Sequence, residues 1–134
     1  MRNRGFSLLE LLIASAIVAI LGVLAYPTYL NAVQEGVRSE AQQELLKTAV
    51  ILERLYSRNG GYPDSDKFDA LPTLEHYNFK YEHKNKPNGG ANFTSREFLL
   101  TATPKTTSMQ ASDHCGELTI DHIGTQGAAE NGCW

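Results

Sequence analysis

Apolar and polar positions divide this chain into three regimes. From Leu11 to Tyr26 it reads LLIASAIVAILGVLAY, and no charged side chain occurs between Glu10 and Glu35. That run lies near the lower limit for crossing a bilayer, which takes about 17–25 residues. Continuing through Pro27, Thr28, Tyr29 and Leu30 supplies the length. Beyond Pro27 the pattern becomes amphipathic. Val33, Val37, Ala41, Leu45 and Ala49 recur every four residues, continued by Leu52 and Tyr56. The charged residues Glu35, Arg38, Glu40, Glu44, Lys47 and Glu53 are mostly kept off that stripe. A stop is expected at Asn59-Gly60-Gly61, with glycine as the C-cap and Pro63 just beyond. From Ser7 to Arg58 such a helix measures about 75–80 Å at about 1.5 Å per residue. Only its second half can pack on a small globule, so the first half must bury itself in lipid or in other subunits.

The third regime has the two-residue period of strands. Tyr62 to Leu74 shows turn residues and no period, and is read as a connecting loop. Tyr77, Phe79, Tyr81 and His83 then alternate with Asn78, Lys80, Glu82 and Lys84. Pro87-Asn88-Gly89-Gly90 marks a turn. A second strand carries Phe98, Leu100 and Ala102 up to Pro104. A polar loop from Lys105 to Asp113 leads to a third strand with Leu118, Ile120 and His122 on one face. Short connections predict an antiparallel sheet whose apolar face is covered by the helix, an α+β fold.

With 134 residues there is room for one domain besides the apolar N-terminus. Arg2 and Arg4 precede the apolar run, which places that end in the cytoplasm and the rest of the chain on the far side. There, in an oxidising compartment, the two cysteines Cys115 and Cys133 most simply form a disulfide. Two unpaired thiols would suit a cytosolic protein better. Closing the loop is worth about 3 kcal/mol by the chain-entropy argument.

An ordinary secretory signal is one reading of the N-terminus, with Ala14-Ser15-Ala16 as its cleavage site. Glu10 argues against it, because a carboxylate two residues into the apolar core would cripple such a segment. A plain signal anchor also leaves Glu10 without a task, although an intramembrane charge costs about 2.5–3.5 kcal/mol at the centre of a span.

Arg4-Gly5-Phe6-Ser7-Leu8-Leu9-Glu10-Leu11-Leu12-Ile13 resembles the prepilin motif of type IV pilins and type II secretion pseudopilins. The resemblance implies cleavage between Gly5 and Phe6 by a prepilin peptidase, which also N-methylates Phe6. It implies that Glu10 of one subunit neutralises the Phe6 amine of a neighbour and so sets subunit register. Buried together, the two charges cost far less than either alone. Pro27 matches the proline of the family's helix, where it removes the bond to the Val23 carbonyl and kinks or opens the helix. Ala19 stands where the family carries a glycine, the nearest being Gly22. Leu100-Thr101-Ala102-Thr103-Pro104, Cys115 to Asp121, Gly124-Thr125-Gln126-Gly127 and Gly132-Cys133-Trp134 are similar to short minor pilins of the PilE kind.

The organisation this implies is a leader at 1–5, a transmembrane and polymerisation helix at 6–30, and a head at 31–134. The head comprises an amphipathic helix at 31–59, a loop at 60–75, and a sheet and disulfide region at 76–134. It is the ladle shape of pilins. The implied partners are other pilin subunits through their N-terminal helices, the prepilin peptidase/N-methyltransferase, the pilus assembly machinery and the inner membrane before assembly. The head is expected in the periplasm and then on the pilus fibre at the cell surface. The function expected is that of a minor type IV pilin that primes or joins the fibre, serving twitching, adhesion or DNA uptake. The alternatives are a DNA-binding competence pilin and a type II secretion pseudopilin.

Other chemistry is weaker. Asp64, Asp66 and Asp69 lack the glycine and glutamate of a calcium loop and are read as a solvated acidic loop. His76, His83, His114 and His122 lack paired zinc-ligand spacings, so no metal is expected. No G-x-S-x-G and no phosphate loop occurs, so neither enzymatic activity nor a cofactor is expected. Lys80, Lys84, Lys86, Arg96 and Lys105 outnumber Glu82 and Glu97 beside aromatics, the footprint a DNA contact would need. The formal net charge of −3 at pH 7, made more acidic by loss of Arg2 and Arg4, favours a solvated sheet face for them instead.

Overall fold

The computed structural model describes residues 7–87 and 90–134. The expected leader, the cleavage pair Gly5 and Phe6, and Asn88-Gly89 of the expected turn lie outside those residues. The described residues fall into two units, divided between Val33 and Gln34.

One helix, α1, runs from Leu8 to Asn59 and contains Pro27 without interruption. Ser7 caps it: its Oγ accepts the Leu9 N–H at 3.3 Å, and its carbonyl accepts the Leu11 N–H at 3.2 Å. Glu10 sits in the first turn and Arg58 in the last, each on the side the helix dipole favours. The helix stops where expected. Gly60 adopts φ +82°, and its N–H returns to the Tyr56 carbonyl at 2.8 Å.

Within the second unit, Ala41, Leu45 and Leu52 of α1 are fully buried, with Val37, Ala49 and Tyr56 packed beside them. The expected stripe is therefore the core-facing one. It carries polar members too: Gln34 and Thr48 are buried on the same side. Arg38, expected off the stripe, has a side chain only 13% exposed.

The sheet is antiparallel in the order β1-β2-β3-β4, with β1 at Tyr77–Lys84, β2 at Glu97–Pro104, β3 at Leu118–Asp121 and β4 at Gln126–Gly127. Phe79 pairs with Ala102, Tyr81 with Leu100 and His83 with Phe98, so the inward sets of β1 and β2 share one face. Leu100 and Ala102 in turn pair with Ile120 and Leu118. Tyr62 and Phe68 close the core from the loop, with ring centroids 4.9 Å from Phe98 and Tyr81 respectively. Burial pushes the phenols of Tyr62 and Tyr81 well above the ordinary tyrosine range.

Three features differ from the sequence reading. The third strand ends at Asp121, so His122 lies beyond it. The Asp121 Oδ1 accepts the N–H groups of Ile123 at 3.0 Å and Thr125 at 2.8 Å, turning the chain there. Partial burial opposes the Asp121 charge, but these backbone donors outweigh it and hold the carboxyl below the usual carboxylate range. The turn leads into the unexpected β4. Finally, both loops read as irregular carry a 3-10 turn, at Ser65–Lys67 and Met109–Ser112.

Candidate functional site

In the first unit, the large apolar side chains from Leu8 to Tyr29 are all more than half exposed. The helix there is long and apolar enough to cross a membrane, and none of that stretch is buried. Glu10 lies in a shallow apolar depression with Ser7, Leu9, Ile13, Ala14 and Ile17. Among the described residues its carboxylate accepts no hydrogen bond. In lipid or between apolar helices, a carboxylate so placed needs a cationic partner. Pro27, whose missing N–H leaves the Val23 carbonyl without its usual helical donor, belongs to the same helix.

In the second unit the functional geometry centres on the C-terminus. Cys115 and Cys133 form a disulfide with a Cα–Cα distance of 5.6 Å. Around it, three polar residues of α1 hold the segments that carry the two cysteines. Gln34 donates through Nε2 to the Met109 carbonyl and the Ser112 Oγ, each at 2.9 Å. Arg38 donates through Nη1 to Asp113 Oδ1 at 2.7 Å and also meets the Cys115 sulfur. Gln42 donates to the Cys133 carbonyl. Buried Gln110 joins them, donating to Asp113 Oδ2 at 2.6 Å and to the Gln34 carbonyl at 3.2 Å. The terminal Trp134 donates its indole N–H to the Gly127 carbonyl at 2.8 Å. That bond occupies an acceptor on the short outer strand β4, where an open edge would invite pairing.

Sequence reasoning found the cysteines and missed Gln34, Arg38, Gln110 and Asp113. A faint signal existed: Gln34 and Arg38 stand four apart and in phase with Ala41 and Leu45.

Most of the candidate basic patch is already engaged. Lys86 contacts both Asp64 oxygens, at 2.8 and 2.7 Å, Lys80 pairs with Glu82 at 3.1 Å, and Lys105 donates to the Leu74 carbonyl at 2.8 Å. Lys84 and Arg96 are exposed and, among the described residues, form no ion pair. They belong to β1 and to the approach to β2, where Lys84 pairs with Glu97 across the strands. Of the acidic trio, Asp64 serves Lys86 and Asp66 serves Lys67. His83 accepts the Ser65 N–H at 2.9 Å through Nδ1. His114 lies beside Cys115 and Cys133, but those sulfurs are bonded to each other and offer no thiolate to a metal.

Residues 27–119 match the family described as "Type IV minor pilin ComP, DNA uptake sequence receptor". Residues 1–26 match the prokaryotic N-terminal methylation motif. A curated relative, the type IV major pilin protein PilA of Myxococcus xanthus (strain DK1622), is 35% identical over 63 residues, or 47% of this chain and 29% of that protein. The chain thus spans under a third of that relative's length. Among solved structures, a type IV pilin from Shewanella oneidensis is 37% identical with a TM-score of 0.58, over 75% of this chain and 97% of the other. The non-core minor pilin PilV of Neisseria meningitidis shares the fold, with a TM-score of 0.55 over 76% and 92% of the two chains at 21% identity.

Proposed function

The chain belongs to the type IV minor pilin family described for ComP, and from that premise we propose that it works as a processed, membrane-stored subunit that primes or joins a pilus fibre. Type IV pilins are structural proteins, and the apolar helix anchors this one in a membrane before it enters the fibre. In this reading the leader at 1–5 stays cytoplasmic, and a prepilin peptidase cuts between Gly5 and Phe6 and methylates Phe6. The segment at 6–30 serves as anchor and polymerisation helix, and the head at 31–134 faces the periplasm. On extraction, Glu10 takes the new Phe6 amine of a neighbouring subunit as its partner, and Pro27 marks where the helix yields on packing.

The observation that carries this reading is Glu10: one carboxylate, unpartnered among the described residues, within the apolar stretch of α1 whose large side chains are all more than half exposed. A soluble protein gains nothing from such a surface, whereas a bundle of like helices buries both the surface and the charge. Deleting the chain and scoring surface pili, twitching and transformation tests the proposal. Loss of all piliation supports an assembly role, and full piliation with normal twitching and transformation refutes it.

A second reading, a receptor for incoming DNA, draws on the family's description and on Lys84 and Arg96, exposed and without an ion pair among the described residues. Phosphate contacts of that kind weaken steeply with salt. Retention of duplex DNA at low ionic strength, reduced by the joint change of Lys84→Ala and Arg96→Ala, supports it. Absence of retention at low ionic strength removes it.

A further inference from the structure

Two asparagine–glycine steps lie within the described residues, and the fold treats them in opposite ways. At Asn59-Gly60 the last turn of α1 holds both participants: Asn59 Nδ2 donates to the Leu55 carbonyl at 2.9 Å, and the Gly60 N–H donates to the Tyr56 carbonyl at 2.8 Å. At Asn131-Gly132 both residues are exposed. Among the described residues, neither the Asn131 side chain nor the Gly132 N–H makes a hydrogen bond. Gly132 stands at φ +84°, and a Cβ built there meets nothing within 4 Å. The third such step, Asn88-Gly89, lies outside the described residues.

We propose that Asn131 is a site of spontaneous deamidation, an ageing modification aimed at the disulfide-closed C-terminus. The Gly132 backbone nitrogen gives up its proton to solvent and attacks Asn131 Cγ. A new C–N bond closes a succinimide, and the Cγ–Nδ2 bond breaks to release ammonia. Water then opens the ring at either carbonyl, leaving aspartate or isoaspartate at position 131. Glycine favours the attack because it has no side chain to shield its nitrogen and tolerates the backbone excursion. The hydrogen bonds at Asn59-Gly60 hold back both the attacking nitrogen and the departing amide.

The consequence is local and chemical. A new carboxylate appears next to Glu130, in a groove of about 250 Å³ lined by Gln126, Glu130, Asn131, Gly132 and Trp134. The isoaspartate product also inserts a methylene into the main chain just ahead of Cys133. The Cys133 carbonyl is held by Gln42, and the following Trp134 by its bond to Gly127. An aged subunit therefore carries extra negative charge on this surface, beside the held Cys133 and Trp134.

The test is a peptide map of the full chain in detergent, incubated at mildly alkaline pH, with the disulfide reduced only before digestion. A parallel sample is incubated unfolded and reduced. In the folded protein the peptide holding Asn131 should acquire the mass and retention of its aspartate and isoaspartate forms, several-fold faster than the peptide holding Asn59. Unfolding should bring the two rates together. Asn131→Gln should abolish the conversion at position 131 while leaving the fold intact. An Asn131 that stays an amide in the folded protein while converting in the unfolded one overturns the proposal. So does an Asn59 that converts as fast as Asn131 in the folded protein.

Discussion

Arg38 and Asp113 stand 75 residues apart in the chain and 2.7 Å apart in the structure, with their side chains 13% and 1% exposed. The pair fastens the core-facing side of α1 to the segment that leads into Cys115. Asp113 also accepts the Gln110 amide and the Cys115 N–H, so its charge is distributed over three donors.

Removing Arg38 leaves that carboxylate buried with its cation gone. Arg38→Ala should destabilise the protein by about 3–5 kcal/mol. Replacing both partners with apolar residues should cost much less, because no uncompensated charge remains. Urea unfolding of the single and double variants measures the difference, and equal losses would contradict the role given to the pair.

The disulfide acts on a sequence separation of 18 residues. Replacing Cys115 and Cys133 together with alanine should lower stability by about 3 kcal/mol, mainly by freeing the unfolded chain. Limited proteolysis should then cut first between Gly127 and Trp134, a strap still held by Gln42 on the Cys133 carbonyl, the Ala129 N–H on the Cys115 carbonyl, the pairing of Gly127 with Thr119 and the packing of Ala128 and Trp134 on the core.

Two adjacent glycines should respond differently. A Cβ at Gly61 would lie 2.0 Å from the Phe93 carbonyl oxygen, a backbone atom. A Cβ at Gly60 meets nothing within 4 Å, but the residue sits at φ +82°. Gly60→Ala should therefore cost about 1–2 kcal/mol, the ordinary penalty for a left-handed alanine. Gly61→Ala should cost more, because the loop carrying Phe93 must move. Thermal melts of the two variants rank them.

The legible parts of this structure are those where one face is buried. The four-residue recurrence at Ala41 and Leu45, and the alternation through Tyr77 to His83 and Phe98 to Ala102, state which side meets the core. β4 has no such signal: Gln126 and Gly127 hold their place by pairing with Ile120 and Thr119 and by the Trp134 indole. His122 reads as a continuation of β3 because it keeps the period, yet the Asp121 carboxylate ends the strand by taking the next N–H groups. In the candidate site the cysteines and Glu10 announced themselves by residue type. Arg38 reads as solvent-facing and Gln34 carries only its phase with Ala41 and Leu45, because the partners that hold them, Met109, Gln110, Ser112 and Asp113, lie some 75 residues away and leave no local pattern.

The proposed role of Glu10, neutralisation by another subunit, can be read directly in a variant that lacks the carboxylate. Expressed in place of the native chain, Glu10→Val should still be cleaved after Gly5, since the cut lies outside the residue changed. The decisive measurement is its amount in sheared pili relative to the cell membrane, by immunoblot, with the mature N-terminus mapped by mass spectrometry. A Glu10→Val chain should begin at Phe6, accumulate in the membrane and be depleted from the pilus fraction. A Glu10→Val chain that enters pili at the native level, or a mature terminus at Ala16 or later, would contradict it.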